Sequence, residues 1–492
     1  MLTNPDPSLI NDDIAPTPKE GRTWSVVNMA ALWIGMVVCV PTYMLAGGLV
    51  QIGMNWWQAV LTVSLGNIIV LIPMILNGHP GTKYGIPFPV LSRASFGIYG
   101  ANIAAVLRGL VGCGWFGIQT WIGGAAIYQL LNALWGPGLG GEVIPFLGIN
   151  GLQVTCFMIF WTLQVVIIWR GIESIKILET WAAPFLVAMG LALLGWAYYE
   201  VGDFSTMLAA STELVASNES STSFWLLFFP SLTAMVGFWA TLSLNIPDFT
   251  RYAKSQRDQV LGQLIGLPTF MTLFSFIGIA VTSATIVIYG EPIFDPTVLL
   301  GKMGGGISIV IALLALTIAT LSTNIAANVV SPANAIINLR PEKFSFRVGG
   351  MVTAGLGIAM FPWKLLETAG DYIFVWLGGY SALLGAIGGI LIIDYFVIRK
   401  TELNLDALYQ KTGEYWYQGG YNLIAMFGLA VGILPCVPGF LATAGFIDAE
   451  LVPQFFKSLY TYAWFVSFGL AGTFYYALTM AMRGRADVEE HQ

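Results

Sequence analysis

The sequence predicts an all-α polytopic membrane protein with about twelve transmembrane helices. Hydrophobic residues make up 56% of the 492 residues, and charged residues make up only 10%, where about 25% is usual for soluble domains. The apolar residues also come in long blocks, such as 270–288 and 307–321, which approach the roughly 20 residues that a helix needs to cross a bilayer. These two observations exclude a soluble or disordered protein.

Hydropathy along the chain places the individual spans, which are separated by shorter polar segments. The predicted spans, in order, are 27–50, 57–78, 101–133, 150–169, 177–199, 226–246, 263–289, 305–330, 347–366, 371–396, 421–441 and 459–482.

The distribution of Lys and Arg predicts the orientation of the spans, because these residues concentrate in cytoplasmic loops. If the N-terminus is inside, 17 of the 21 basic residues fall in cytoplasmic segments, three fall outside, and Arg108 lies within the third span. The polar, acidic N-terminus lacks the layout of a cleaved signal peptide. We therefore expect a multi-pass protein of the plasma or inner membrane with both termini in the cytoplasm.

The charged and metal-binding residue types argue against several functions. The net charge is −6 and no basic run is present, so we expect no nucleic-acid partner. The two histidines lie in a loop and in the C-terminal tail, and no nucleophile–base pair is visible in the spans. An enzyme and a metal cluster are therefore not expected. The four cysteines, which we read as buried apolar residues, are Cys39, Cys113, Cys156 and Cys436.

Glycine and proline interrupt the first and sixth spans at similar places. Gly35 and Pro41 bracket the middle of the first span, while Gly237 lies within the sixth and Pro247 closes it. Broken helices at matching places in two halves indicate an inverted-repeat transporter with its site at the breaks. Gly and Pro are also common in membrane helices generally, so this spacing alone leaves both readings open.

Polar residues inside the spans are the first candidates for a binding site, because burying them in a bilayer is costly. In the third span, Trp115 and Gln119 are four residues apart and share one helix face. An aromatic wall beside a neutral amide suits a flat, uncharged solute that carries amide groups. For an isolated pair, however, packing and a hydrogen bond to a neighbouring helix would be the favoured explanation.

The eighth span holds the densest polar cluster, in which Ser322, Thr323, Asn324 and Asn328 fall within seven residues. Hydroxyl and carbonyl oxygens of this kind can hold Na⁺. Interhelical hydrogen bonding is the alternative, but four such groups exceed what packing requires, and we favour a site. In the sixth span, Trp239 alone would be explained by packing.

The charged residues near the spans are interpreted as structural. Arg108 is expected to extend toward the cytoplasm, and Asp248 with Arg251 is expected to fix the inner end of the sixth helix. No carboxylate lies at the middle of a span. This argues against a charged substrate held by a counter-ion, and it removes the simplest proton carrier.

Several longer strings resemble one transporter family, the nucleobase:cation symporter-1 family, over about residues 23–421. Its members carry hydantoins, allantoin, uracil, cytosine and purines. The strings are NGHPGTKYGIPFPVLSRASFGIYGAN (77–102), WFGIQTW (115–121), NIPDFTRYAK (245–254), STNIAANVVSPA (322–333) and DYFVIRK (394–400).

The resemblance implies a LeuT-like architecture of two inverted five-helix repeats plus two further helices. The implied organisation is an N-terminal tail (1–26), a first repeat (27–199), a second repeat (226–396), the last two helices (421–482) and a C-terminal tail (483–492). A bundle of spans 1, 2, 6 and 7 would move against spans 3, 4, 8 and 9.

The resemblance also implies the site residues. Trp115 and Trp239 match two indoles that sandwich the substrate ring, while Gln119 and Asn328 match amides that hydrogen-bond its edge. Cys39 stands where hydantoin and allantoin carriers have Gln or Asn. Because a thiol is a poor hydrogen-bond partner, Cys39 argues against a substrate with a ureido arm.

The sodium site of the family maps to Ala319, Ser322 and Thr323 on the eighth span, with backbone carbonyls from Gly35 and Val38 on the first. Sodium or a proton is the expected coupling ion, and no other cofactor is expected. The sequence therefore predicts a monomeric secondary transporter that imports a neutral nucleobase or related cyclic amide. Uracil is the first choice, and an allantoin or hydantoin permease is the alternative.

Overall fold

The structure is a computed structural model that describes residues 2–136, 138–170, 173–217, 223–303 and 306–490. The helices of the first half are α1 (Val26–Val37), α2 (Val40–Gln51), α3 (Trp56–Tyr84), α4 (Phe88–Phe96), α5 (Ala101–Trp135), α6 (Gly151–Arg170), α7 (Glu173–Val201) and α8 (Phe204–Ser217). A short antiparallel hairpin of β1 (Val143–Ile144) and β2 (Ile149–Asn150) joins α5 to α6.

The second half repeats a similar alternation of long and short helices. Its helices are α9 (Phe224–Asn245), α10 (Pro247–Thr250), α11 (Gln256–Tyr289), α12 (Pro296–Lys302), α13 (Ile307–Asn328), α14 (Val330–Leu339), α15 (Phe346–Ala359), α16 (Pro362–Leu365) and α17 (Gly378–Ile392). Two π-helical segments, Asp371–Leu377 and Ile393–Ile398, extend α17 at its two ends.

The last part of the chain adds α18 (Leu423–Ile433), α19 (Val437–Thr443), α20 (Gln454–Thr461) and α21 (Ala463–Glu490). Short 3₁₀ turns occupy Pro7–Leu9, Lys19–Gly21, Ala407–Tyr409, Leu434–Cys436 and Ala449–Leu451.

Twelve apolar segments follow the predicted order in the part of the chain that the structure describes. Ten helices are long and apolar enough to cross a bilayer, the bent pair α1–α2 forms another span, and α15 is a shorter apolar helix at the ninth position. The ninth span was predicted to reach residue 366, but α15 ends at Ala359. The helix stops there because Phe361 adopts the left-handed conformation with φ 48° and Pro362 follows it.

The first span is broken, which decides between the two readings that its Gly35 and Pro41 left open. α1 ends at Val37, α2 begins at Val40, and the two axes differ by 57°. Cys39 between them is extended, with φ −146° and ψ 160°. Pro41 is the second residue of α2, where its missing N–H costs no helical hydrogen bond.

The sixth span has no break at Gly237, so the second of the two readings left open by the sequence, glycine as an ordinary residue of a membrane helix, applies here. α9 runs without interruption from Phe224 to Asn245, and only the turn at Pro247 separates it from α10. Gly237 instead allows close packing, because a Cβ at this position would collide with the Ser381 hydroxyl. Packing selects this glycine, so it carries no information about a break.

Two groups of helices surround the centre of the molecule. α1, α2 and α9 pack around α3 and α11, and this first group corresponds to spans 1, 2, 6 and 7. α6, α13, α14 and α15 pack around α5 and form the second group, which corresponds to spans 3, 4, 8 and 9. The break of the first span faces α5 and α13 between the two groups.

Candidate substrate and ion site

A small cavity lies where the break of the first span meets α5, α9 and α13. All five predicted substrate residues line it. The lining consists of Met36, Cys39, Pro41, Trp115, Gln119, Phe238, Trp239, Thr241, Leu242, Ala327 and Asn328. The cavity volume is about 30 Å³, and a water molecule needs about 10–15 Å³. Side chains must therefore move to admit a ring.

Three aromatic rings form one wall of this cavity. Phe238 makes edge-to-face contacts with Trp115, at 5.2 Å between ring centroids, and with Trp239, at 4.9 Å. The two indoles that were expected to face each other are thus separated by a phenyl ring that the sequence analysis did not single out. In the sequence, Phe238 is one apolar residue among others. Only its position next to Trp239 could have suggested a role at the site.

A chain of side-chain amides fixes the orientation of Asn328 at the cavity. The Asn324 amide nitrogen donates to the Phe116 carbonyl at 2.9 Å and to the Gln164 side-chain oxygen at 2.7 Å. A backbone carbonyl can only accept, so the Asn324 oxygen faces the other way and accepts from the Asn328 amide nitrogen at 3.0 Å. Asn324 therefore has a structural role, and Asn328 presents its side-chain oxygen to the cavity.

Gln119 supplies a second acceptor. Its side-chain oxygen is buried and has no hydrogen-bond partner among the described residues. An unpaired buried acceptor costs about 1–3 kcal/mol, so a ligand that donates a hydrogen bond to Gln119 would recover this free energy. None of the described residues that line the cavity carries a charge.

Cys39 lies at the N-terminus of α2 with its side chain buried beside the cavity. Its sulfur lies 3.3 Å from the Thr42 hydroxyl. The thiol is thus already engaged with a residue of its own helix, and it offers a ligand little further hydrogen bonding.

Two aromatic residues of the π-helical segment Asp371–Leu377 contact residues that line the cavity. The Tyr372 hydroxyl donates to the Pro41 carbonyl at 3.2 Å, and the Tyr372 and Trp376 rings pack edge-to-face on Trp115. Sequence reasoning missed both residues, because the hydropathy of the tenth span does not reveal a π-helix. Such segments occur often at functional sites.

The break of the first span frees backbone oxygens near the cavity. The Cys39 amide donates to the Val37 carbonyl at 2.9 Å and does not make the bond to the Gly35 carbonyl that a continuous helix would have. Val38 has left the helical conformation, with ψ 82°. The predicted oxygen ligands of Gly35 and Val38 thus lie at an unwound helix end, which is a common environment for Na⁺ in transporters.

The remaining predicted ion ligands lie on α13, which packs against α1. The Thr323 hydroxyl is buried and donates to the Ala319 carbonyl at 3.0 Å. Its lone pairs remain available to a cation, because this bond uses only its hydrogen. The side chain of Ser322 lies outside the described part of the structure. The described donors are all oxygens, and this chemistry fits Na⁺.

Comparison with known proteins identifies the family. Residues 16–467 match a family described as permeases for cytosine/purines, uracil, thiamine and allantoin. The chain belongs to this permease family. As a permease it is a multi-pass membrane transporter and not an enzyme, as predicted.

Relatives and solved structures support the assignment. The permease is 50% identical to the purine-uracil permease NCS1 of Arabidopsis thaliana, over 98% of its own chain and 79% of that protein. It is 40% identical to the allantoin permease of Bacillus subtilis, over 96% and 93% of the two chains. The inward-facing structure of Mhp1 is 26% identical, with a TM-score of 0.74 over 97% and 96%. The likeness to Mhp1, a nucleobase–cation–symport-1 transporter, confirms the predicted family and the LeuT-like fold class.

The position of Arg108 in this permease corrects one prediction. Arg108 was expected to extend toward the cytoplasm, but it is only 2% exposed and donates to the Asn245 side-chain oxygen at 2.6 Å. The side chain faces α9 inside the protein, where Asn245 offers an acceptor.

Asp248 accepts hydrogen bonds from the Phe88 amide at 2.9 Å and the Ser331 hydroxyl at 3.2 Å. Asp248 therefore fixes the end of the sixth span, as expected. Arg251, which was expected to act with it, donates to the Asp13 carbonyl at 2.9 Å.

Proposed function

We propose that this permease imports a neutral nucleobase, uracil first, together with a cation. The observation that carries the proposal is the uncharged cavity in which indoles and two side-chain amides converge. An aromatic wall favours a flat ring. The absence of charged residues from the described lining favours a neutral one, since no counter-ion is offered.

The hydrogen-bonding groups favour a ring with adjacent N–H and carbonyl groups. Gln119 and Asn328 both present acceptors to the cavity, and the Gln119 amide nitrogen can donate. Uracil carries two N–H donors and two carbonyl acceptors around a small ring, so it can satisfy both amides at once. The 50% identity to a relative named as a purine-uracil permease supports the same choice.

Allantoin is the second candidate, and the 40% identity to an allantoin permease favours it. Allantoin carries a ureido arm whose polar groups need a further partner in a closed site. Cys39, already engaged with Thr42, is a poor partner for it. For this reason uracil is the preferred candidate substrate and allantoin is the second.

Transport would follow alternating access. The group of α1, α2, α3, α9 and α11 would move against the group built around α5, opening the cavity first to one side and then to the other. A cation at the oxygens of Gly35, Val38, Ala319 and Thr323 would tie the break of the first span to α13. Its binding would favour the substrate-binding arrangement. Driven by the cation gradient, substrate and cation would move inward together.

The proposal is tested by counterflow in proteoliposomes loaded with unlabelled substrate. A carrier accumulates labelled uracil transiently under these conditions, whereas a channel does not. Competition with allantoin, hydantoin, cytosine, adenine and dihydrouracil then ranks the substrates. Failure of unlabelled uracil to compete, together with strong competition by allantoin, would favour the second candidate.

A further inference from the structure

A second cavity, of about 550 Å³, lies outside the substrate site between α5, α17 and the α18–α19 segment. Its walls are almost entirely apolar, with Leu107 and Leu110 of α5 on one side and Leu383 of α17 and Phe440 of α19 on the other. Leu110 is 41% exposed, so the cavity opens on the outer surface of the spans. In a membrane protein this surface faces lipid chains.

The inner wall of this groove is in contact with the substrate site. Trp376 lines the groove and packs edge-to-face on Trp115, at 6.0 Å between ring centroids. A Cβ at Gly114 would collide with the Trp376 ring, which shows how closely the two helices approach here. The Trp376 indole nitrogen is buried and has no partner among the described residues. A molecule in the groove would therefore support Trp376 against Trp115.

A more polar cavity of about 310 Å³ lies beside the groove. Tyr460 lines both cavities. Lys457 lines the polar one, and its ammonium makes no ion pair with any residue that the structure describes. Ala449 lines it too, and its neighbours Asp448 and Glu450 are exposed acidic residues. Lys457 therefore lines this cavity as a cation without an ion pair among the described residues, and two acidic residues flank Ala449 in the sequence.

We propose that the two cavities together bind one phospholipid that has a primary ammonium in its headgroup. The groove takes an acyl chain, Lys457 pairs with the phosphate, and the carboxylates of Asp448 and Glu450 attract the ammonium. The charges favour this headgroup over two others. A purely anionic headgroup would be repelled by the two carboxylates, and a quaternary ammonium cannot donate hydrogen bonds to them. The bound lipid holds Trp376 in place and thereby strengthens substrate binding at Trp115.

The test compares phosphatidylethanolamine, phosphatidylcholine and phosphatidylglycerol with identical acyl chains, added to the purified full-length permease. Thermal unfolding and native mass spectrometry report on lipid binding. Phosphatidylethanolamine is expected to raise the melting temperature by about 2–4 °C more than the other two and to remain bound in the gas phase. Substrate affinity should be at least twofold higher in nanodiscs that contain it.

Two pairs of variants separate the groove from the polar cavity. Leu110→Trp fills the mouth of the groove and should abolish the thermal shift. Leu273→Trp is the control, because Leu273 is 58% exposed on α11 and lines neither cavity. Lys457→Gln should remove the preference among headgroups, whereas Lys364→Gln, at an exposed position outside both cavities, should keep it.

Equal shifts with all three lipids, or a stronger shift with phosphatidylglycerol, would overturn the headgroup assignment. If Leu110→Trp shows the same thermal shift as the wild type, the lipid does not occupy the groove. If Leu110→Trp does not fold, Leu383→Trp fills the same groove from α17. The thermal readout needs no substrate, so a failure here is distinct from a failure of the proposed function.

Discussion

The guanidinium of Arg108 and the side-chain oxygen of Asn245 are 2.6 Å apart and join α5 to the end of α9. Arg108 lies seven residues before Trp115 on α5, which is two helical turns and about 10 Å. The pair therefore links the two groups of helices between the cavity and the end of the sixth span. In the proposed transport cycle, we expect this contact to break when the two groups of helices move apart.

Replacing Asn245 by Ala should destabilise the closed arrangement, because Arg108 would lose its hydrogen-bond acceptor. Hydrogen bonds to charged groups contribute about 1.5–3 kcal/mol, so the melting temperature of Asn245→Ala should fall by several degrees. Asn132→Ala, on the same α5 helix as Arg108 but far from this contact, is the control. Equal melting temperatures for the two variants would show that the Arg108 contact contributes nothing measurable.

Trp115→Ala should weaken uracil binding at least tenfold. Stacking of a base on an aromatic side chain contributes about 1–3 kcal/mol in nucleic-acid complexes. Gln119→Ala should cost a similar amount, because it leaves substrate groups unpaired. Binding is measured on purified protein that unfolds cooperatively, with Trp57→Ala as the control, since Trp57 is 47% exposed. Unchanged affinity in both site variants would remove this cavity as the substrate site.

Sodium coupling predicts that Na⁺ and substrate raise each other's affinity by the same factor, because coupling between two sites is reciprocal. Thr323→Ala should abolish this mutual effect and leave the sodium-free affinity nearly unchanged. Thr317→Ala is a matched control: Thr317 also donates to a carbonyl four residues earlier on α13, at 2.8 Å. A wild-type affinity that responds to pH and not to Na⁺ would point to protons.

Cys39→Asn should raise the affinity for allantoin relative to uracil. Asn offers a donor and an acceptor to the ureido arm, whereas unpaired polar groups cost about 1–3 kcal/mol in the wild type. Thermal stability should change little, since Asn is also a favourable residue at a helix N-terminus. The measurement is the ratio of the two inhibition constants, expected to shift about tenfold or more. A wild type that already prefers allantoin would contradict the choice of uracil.

Tyr372→Phe should open the cavity more often from the side of the π-helical segment. The variant keeps the ring contact with Trp115 but removes the 3.2 Å hydrogen bond to the Pro41 carbonyl. One such bond contributes about 0.5–1.5 kcal/mol, so the open population should rise up to about tenfold. The rate at which an impermeant maleimide labels Cys39 reports this population, and Cys39→Ser provides the background. An unchanged labelling rate would show that the Tyr372 hydrogen bond does not limit access to Cys39.

The sequence predicts those parts of the site that depend on helix periodicity or on backbone chemistry. Trp115 and Gln119 share a helix face, and Pro41 marks the broken first span because a proline there restricts where α2 can begin. Gly237 does not mark a break, because glycine also serves close packing and the Ser381 hydroxyl occupies the space beside it. A single sequence does not distinguish these two uses of glycine.

Other parts of the site depend on tertiary contacts that leave no local pattern. Phe238 is one apolar residue in an apolar helix, and its place between two indoles follows only from how α5 and α9 meet. The π-helical segment is also invisible to hydropathy, so Tyr372 and Trp376 were missed. Arg108 was misplaced because its partner Asn245 is 137 residues away in the chain.

The chain of amides that ends at Asn328 has a consequence for the tautomers of a bound ring. The polarity of this chain is set by the Phe116 carbonyl, which cannot donate, and it passes through Asn324 to the oxygen of Asn328. A lactam form presents an N–H to that oxygen, whereas the corresponding lactim presents a lone pair and is repelled. Gln164, which does not line the cavity, also accepts from Asn324 at 2.7 Å. Gln164 therefore helps to determine which tautomer binds, although it does not contact the ring.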